Sequence, residues 1–413
     1  MAERRLAARW ILPVGSAPIE RGALLIGSSG RIEAMGSQAA VPTPPGIQAM
    51  EFENAVIVPG LINTHTHLEL TGFEHRVAEQ EFAAWIRRLR ELKATRQYPE
   101  YLAAARQGIQ DCYAAGITTV ADTGDSGAAI QALAERGGAG VAYQEVFGPH
   151  PDQAQGSLDE LRSRVARLRA HTGNRLRIGV SPHAPYTVSG PLYRAVAAWA
   201  RTERLPLAVH IAESAAESQF LRDGTGPFAE AWTARGIPMP ASDGHTPVSW
   251  LADHGVLSPE TLCIHAVQLS DADLSRLAES GASVAHCPRS NQAHGHGSAP
   301  LERLLQAGVR VGIGTDSVVS IGTIDMMAEA RAARALAPGL DAHDVLELCT
   351  LGGARALGLE SETGSLEPGK WADCAIIRVP LAGAGDPAEA VLATGRSDVL
   401  RTFLGGKEVY RLV

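Results

Sequence analysis

The sequence predicts an α/β protein built on a (β/α)8 barrel of the TIM type, with a small β-sandwich assembled from both ends of the chain. Two observations carry that expectation. From residue 59 to about 358, short β-rich runs alternate with longer Ala-, Leu- and Arg-rich segments of helical period, and there are eight such runs. Residues 1–58 and 359–413 instead read as short strands separated by glycine turns, with too few strands in either piece to stand alone.

In chain order, RGALLIGSSGRIEAMG supplies the first part of the sandwich. The barrel strands are then expected at 61–67, 116–122, 140–148, 176–183, 205–213, 261–267, 283–290 and 309–316. Intervening segments such as LDELRSRVARLRAHTG (158–173) and DADLSRLAESG (271–281) carry the helical period. GSLEPGKWADCAIIRV and VLRTFLGGKEVY complete the sandwich from the C-terminal side. No further internal repeat and no low-complexity linker interrupts this plan.

The chain has 413 residues, 45% of them hydrophobic and 20% charged, enough to bury a large core. Its formal charge of −8 and the absence of a basic cluster exclude a nucleic-acid footprint or an anionic membrane surface, which leaves a small-molecule substrate. No apolar run approaches the roughly 20 residues of a spanning helix, and the basic opening stretch lacks a small-residue cleavage pattern, so a cytoplasmic protein is expected. Cys112, Cys263, Cys287, Cys349 and Cys374 have no paired spacing and are expected to be reduced, buried thiols.

All eight expected strands end in polar residues: His65 with His67, then Asp122, Glu145, His183, His210 with Glu213, His265, Arg289 with Asn291, and Asp316. The C-terminal rim is where barrels of this kind carry their chemistry. His65 and His67 are alternate residues of one strand and leave it on the same side, which suits two ligands of one metal ion; two ordinary half-buried histidines are the alternative. Asp316 can either touch a metal and accept a proton from water or cap a helix.

The motifs PGLINTHTHLE, VHIAES, CIHAV, HCPRSN and GIGTDS, in this order and on these strands, resemble the amidohydrolase superfamily over essentially the whole chain. The resemblance implies that His65, His67, His210 and Asp316 hold one divalent metal, with Glu213 and His265 as the acid/base pair beside it and Asp316 as a proton acceptor. Such a nitrogen and oxygen set suits zinc, with ferrous iron as the alternative. The lysine that bridges two metals in many relatives has no counterpart, since Lys93, Lys370 and Lys407 all lie off the barrel strands, and this favours one metal per chain. The spacing His210-Ile-Ala-Glu213 resembles the deaminase branch. Homo-oligomers are expected by the same resemblance.

Substrate contacts are expected from His183, Glu145, Asn291 and Arg289, the last pairing with a substrate anion. Trp85 is either a lid over the bound base or core at helical spacing with Phe82 and Leu89. His294 and His296 read as solvated loop residues. Methylthioadenosine and S-adenosylhomocysteine deaminases carry a ribose-binding glutamate where this chain has Ala94, and HTHLEL, F-x-x-W-I, QEVFG and CPRSN together are more similar to the 6-aminodeoxyfutalosine deaminases. The expected activity is hydrolytic deamination of an aminopurine-type nucleoside or base. Other heterocycle amidohydrolases, such as guanine, cytosine or pterin deaminases and s-triazine chlorohydrolases, are alternatives, and a non-catalytic scaffold is the remaining one.

Overall fold

The computed structural model describes residues 3–170, 172–240, 243–380 and 385–413. Four strands open the chain: β1 Arg4–Ile11, β2 Ile19–Ile26, β3 Ile32–Ser37 and β4 Gln48–Pro59. Eight strands follow between helices: β5 Leu61–Thr66, β6 Ile117–Gly124, β7 Ala139–Val146, β8 Leu176–Pro182, β9 Leu207–Ile211, β10 Thr261–His265, β11 Ser283–His286 and β12 Arg310–Ile313. The chain closes with β13 Cys374–Arg378, β14 Val399–Leu404 and β15 Lys407–Arg411.

β5 to β12 pair in sequential order, each parallel to the next. The barrel closes where the backbone N–H groups of Thr315 and Asp316 donate to the carbonyl of His65 at 3.0 and 2.9 Å. Asn63 clamps this seam, accepting the Thr315 N–H and donating to its hydroxyl. Strand alternation separates two apolar layers. Ile62, Ala208, Leu262, Ile264 and Ala285 fill the barrel interior, while Leu61, Val209, Cys263 and Val284 face the surrounding helices. Burying a side chain of the Leu/Ile class is worth roughly 1.5–3 kcal/mol, so both layers stabilise the frame that carries the rim.

All eight expected strands are present, and most end earlier than their sequence runs suggest. The polar residues beyond His286 and Ile313 lie in turns and in a short helix, Pro288–Ala293, started by the proline of HCPRSN. The helix expected over 158–173 runs Ala154–Arg169; His171 lies outside the described residues. The terminal segments pair in the order β15-β14-β13-β4-β1-β2-β3. This sheet folds back on itself, because Ile32 exchanges main-chain hydrogen bonds with Lys370 and Gly369, and it encloses Leu6, Ile11, Leu24, Ile57, Ile376 and Phe403. All five cysteines are buried and free. Among the described residues no helix is long and apolar enough to cross a membrane.

Candidate active site

The helix Phe82–Ala94, here α1, begins where the Glu81 carboxylate accepts the N–H groups of Ala83 and Ala84, both at 2.8 Å. Its half-buried face, Phe82, Trp85, Ile86 and Leu89, follows the helical period and packs over the C-terminal rim of the barrel. Beneath it lies a cavity of about 480 Å³, a volume ordinary for a small-molecule site. Trp85 lines this cavity and packs against the cluster of Leu70, Phe73, Leu92 and Val319.

The cavity floor gathers residues from distant strand ends. Nε2 of His65 and Nε2 of His67 each lie 3.4 Å from Oδ1 of Asp316. The ring centroid of His210 is 4.9 Å from that of His65 and 5.5 Å from that of His67. His67 Nδ1 meets the Thr123 carbonyl at 2.9 Å and His210 Nδ1 meets the His183 carbonyl at 3.3 Å, which leaves the Nε2 atoms free to face inward. Both ring nitrogens of His65 are buried without a hydrogen-bond partner among the described residues, as suits a ligand. Burial lowers His65 to about 4 and His210 well below its ordinary value, so both imidazoles are neutral donors. Burial also pushes His67 down, yet hydrogen bonding to Asp316 overrides it and raises His67 to about 9, a sign that this point favours positive charge. The residues therefore fit a divalent cation. His265 also brings a ligand atom within 4.8 Å of those of His65 and His210.

Glu213 follows β9 and is buried; burial, then Asp316 and Glu217, raise its carboxyl well above the usual range. That shift favours the protonated form of its carboxyl group. Its backbone is clamped by Glu217, whose two oxygens accept the N–H groups of Ala212 and Glu213 at 2.9 and 2.8 Å. His265 Nε2 lies 3.6 Å from Glu213 Oε1, and its Nδ1 is 3.0 Å from Asn291 Oδ1.

The cavity wall includes His183, whose Nδ1 is 2.9 Å from the Thr187 hydroxyl, and Glu145, which burial pushes up to about 7 and whose Oε1 has no hydrogen-bond partner among the described residues. Two other expected substrate contacts are placed elsewhere. Arg289 does not line the cavity: its guanidinium is spent on Glu329 at 3.4 Å and on the Ile321 and Thr323 carbonyls. Asn291 does not line the cavity and meets His265 instead. With Ser290, which donates to Asp316 Oδ2, the HCPRSN motif thus holds the site's side chains from behind. Asp122 likewise accepts the Leu68 N–H at 2.7 Å and fixes the turn after His67.

Three groups that the sequence reading left outside the site lie in it or against it. Lys93 sits on α1, off the strands as expected, but reaches the wall, where it pairs with Asp125 at 2.6 Å and Glu69 at 3.5 Å. His294 lines the cavity edge-on to Trp85, and His296 is buried, so neither is a solvated loop residue. The glycines that flank His296 are the one signal in the sequence for its fixed place. At the mouth, Arg90 and Arg235 line the cavity with exposed side chains and no acidic partner among the described residues.

Residues 56–409 match the profile of the amidohydrolase family. Over 325 residues, 75% of each chain, the protein is 34% identical to an aminodeoxyfutalosine deaminase of Deinococcus radiodurans. A 5-methylthioadenosine/S-adenosylhomocysteine deaminase of Symbiobacterium thermophilum is 28% identical over 97% of this chain and 92% of its own. The crystal structure of an adenosine deaminase from Xanthomonas campestris with bound zinc superimposes with a TM-score of 0.86, at 25% identity and with 98% and 92% of the two chains covered.

Proposed function

The chain belongs to the amidohydrolase family, and from that premise we propose that it is a mononuclear metal-dependent aminohydrolase acting on an adenine-type nucleoside, with 6-aminodeoxyfutalosine as the substrate. The observation that carries this reading is Glu213, a buried carboxyl group raised above its ordinary range by burial, set beside a three-imidazole, one-carboxylate floor and open to a cavity of nucleoside size. His65, His67, His210 and Asp316 would hold the metal, and the zinc of the Xanthomonas campestris relative supports zinc over ferrous iron. A divalent cation there supplies Lewis acidity, which lowers the pKa of a water to about 7.

The protein's own groups account for the rest. Glu213 gives its proton to the ring nitrogen next to the amine-bearing carbon, which makes that carbon electrophilic. Asp316, held ionised by His65 and His67 against burial, takes a proton from the attacking water. His265, oriented by Asn291, aligns that water. The tetrahedral adduct then collapses: Asp316 passes on the proton it took, which reaches the amine, the hydroxyl proton of the adduct returns to the Glu213 carboxylate, the carbon–nitrogen bond breaks, and ammonia leaves behind the oxo ring.

The wall supports the futalosine-type substrate over a methylthioadenosine-type one. Ala94 lines the cavity where those deaminases place a ribose-binding carboxylate, and the charged groups beside it are Lys93 and Asp125. Arg90 and Arg235 at the mouth suit a nucleoside that carries an aryl carboxylate beyond its ribose. The near-complete coverage of the methylthioadenosine/S-adenosylhomocysteine deaminases supports that activity as the second reading. A screen of zinc-loaded protein decides, with 6-aminodeoxyfutalosine, methylthioadenosine, S-adenosylhomocysteine, 5′-deoxyadenosine, guanine, cytosine and an s-triazine followed in the ultraviolet and by ammonia release. The highest kcat/KM on 6-aminodeoxyfutalosine is the expected result; ammonia release from none of the adenosine derivatives overturns the proposal.

A further inference from the structure

We infer that His296 is a positioning residue for the reaction, holding the carboxyl group of Glu213 through Oε1, the oxygen that His265 also faces. The inference rests on the reading of Glu213 as the proton donor.

One oxygen of Glu213, Oε1, lies between two imidazoles: His265 Nε2 at 3.6 Å and His296 Nδ1 at 3.5 Å. The first ring is already tied through its other nitrogen to Asn291. The second is only 8% exposed, and neither of its nitrogens has a hydrogen-bond partner among the described residues. Buried polar atoms without partners are rare, and the acidic group that faces this ring is Glu213. A closure of about 0.5 Å brings the pair to hydrogen-bond distance, a small step for a site that tightens around substrate.

The loop is built to present this ring. Gly295 and Gly297 on either side adopt φ of 67° and 95°, a conformation that residues with a Cβ rarely hold. The N–H of His296 donates to the Asn291 carbonyl at 2.9 Å, and its own carbonyl accepts from the Gln268 side-chain amide at 2.6 Å. Phe82 of α1 meets the ring edge to face, with centroids 4.4 Å apart. Asn291 therefore fixes both imidazoles at once, His265 through its side chain and His296 through its main chain.

Burial lowers His296 to about 4, so the ring is neutral and carries one N–H. Placed on Nδ1, that N–H donates to Oε1 and turns Oε2 toward the substrate ring. Its hydrogen bond is about twice as strong to the carboxylate left after proton donation as to the carboxylic acid before it. The contact thus favours the protonated substrate more than the resting complex.

Two variants and one spectrum test this. In the zinc enzyme, His296→Phe keeps the packing against Phe82 and removes the N–H; kcat is expected to fall roughly ten- to hundredfold with KM within about twofold. His296→Asn places an amide N–H near the former Nδ1 and is expected to restore kcat to within about threefold of the parent. Independently of any substrate, a ¹H–¹⁵N spectrum of the imidazole region should show a protected His296 Nδ1–H that moves in Glu213→Gln. An unchanged kcat in H296F, an equal loss in H296N, or a His296 resonance indifferent to Glu213→Gln overturns the assignment. If no nucleoside is deaminated, the functional reading fails, and the spectrum still decides the contact. If H296F does not fold, H296N and the spectrum decide.

Discussion

Glu213→Gln removes one proton and keeps the shape of the side chain. Glu213 contributes no oxygen to the His65, His67, His210 and Asp316 floor, so bound metal is expected to stay at the parent level. The amide cannot protonate a ring nitrogen, and general acid catalysis is typically worth about 100- to 10,000-fold, or about 2.7–5.4 kcal/mol of barrier. The loss should fall on kcat, because the proton is passed only as the transition state forms. The pH dependence follows from two opposed shifts. Burial, Asp316 and Glu217 raise Glu213, so the active acid form persists to higher pH than for an ordinary carboxyl and is lost as pH rises. His65 and His67 hold Asp316 low against burial, so its base form persists well into acid. The parent enzyme should thus lose turnover as pH rises through the Glu213 titration, and the glutamine variant should lack that limb. Metal analysis, kcat and KM across pH on both proteins test the chain of reasoning; a variant within about tenfold of the parent, below the usual range for a general acid, refutes it.

The other predictions concern the floor, the second layer and the mouth. His65→Ala and His210→Ala should each lower bound metal together with turnover, measured by metal analysis of the purified proteins, and chelation should abolish activity. Arg289→Met should lower stability by about 1–3 kcal/mol with no preference among substrates, because it leaves the buried Glu329 without its cationic partner. Burial holds Glu329 at about 8 in the folded protein, above its ordinary value, so its stabilising contribution is complete at low pH and is lost as pH rises through 8. The deficit of Arg289→Met should therefore grow above that pH, as read by denaturation at several pH values. Arg90→Met and Arg235→Met should each lower kcat/KM for the carboxylate-bearing nucleoside by about two- to fivefold, the range of exposed pairs, and leave methylthioadenosine little changed. Equal losses on both substrates would remove the carboxylate role from these arginines.

The barrel was legible because each of its strands is a compact β-rich run and because the chemistry sits at one end of each. Topology put every polar strand end on one rim, since parallel barrel strands bring all their C-terminal ends together, and the resemblance to the amidohydrolases singled out His65, His67, His210, Glu213, His265 and Asp316 among them. What topology does not contain is the path of the loops. Lys93 reaches the wall because α1 crosses the rim, and His296 reaches Glu213 because two left-handed glycines turn its loop inward. Arg289 was misread for a related reason: Pro288 starts a helix directly after the strand, which swings the guanidinium onto Glu329 and gives the inward places to Ser290 and Asn291.

That second layer has a physical task beyond filling space. Ala212, His265 and Asp316 adopt φ of 51°, 74° and 60°, a region that costs residues with a Cβ of the order of 1–3 kcal/mol each. Each kink lies at or beside a group that must meet the cavity floor from the end of a parallel strand, where ordinary alternation would aim it elsewhere. The strain persists because each is held by hydrogen bonds. Glu217 accepts the N–H groups of Ala212 and Glu213, Asn291 meets the His265 ring, and Ser290 with the Ser317 N–H fixes the two oxygens of Asp316. Motifs such as HCPRSN are therefore informative although Asn291 and Arg289 do not line the cavity. Ser290 and Asn291 of that motif hold the turns at Asp316 and His265, Glu217 holds the one at Ala212, and the roles proposed for Glu213, His265 and Asp316 require that geometry to stay in place.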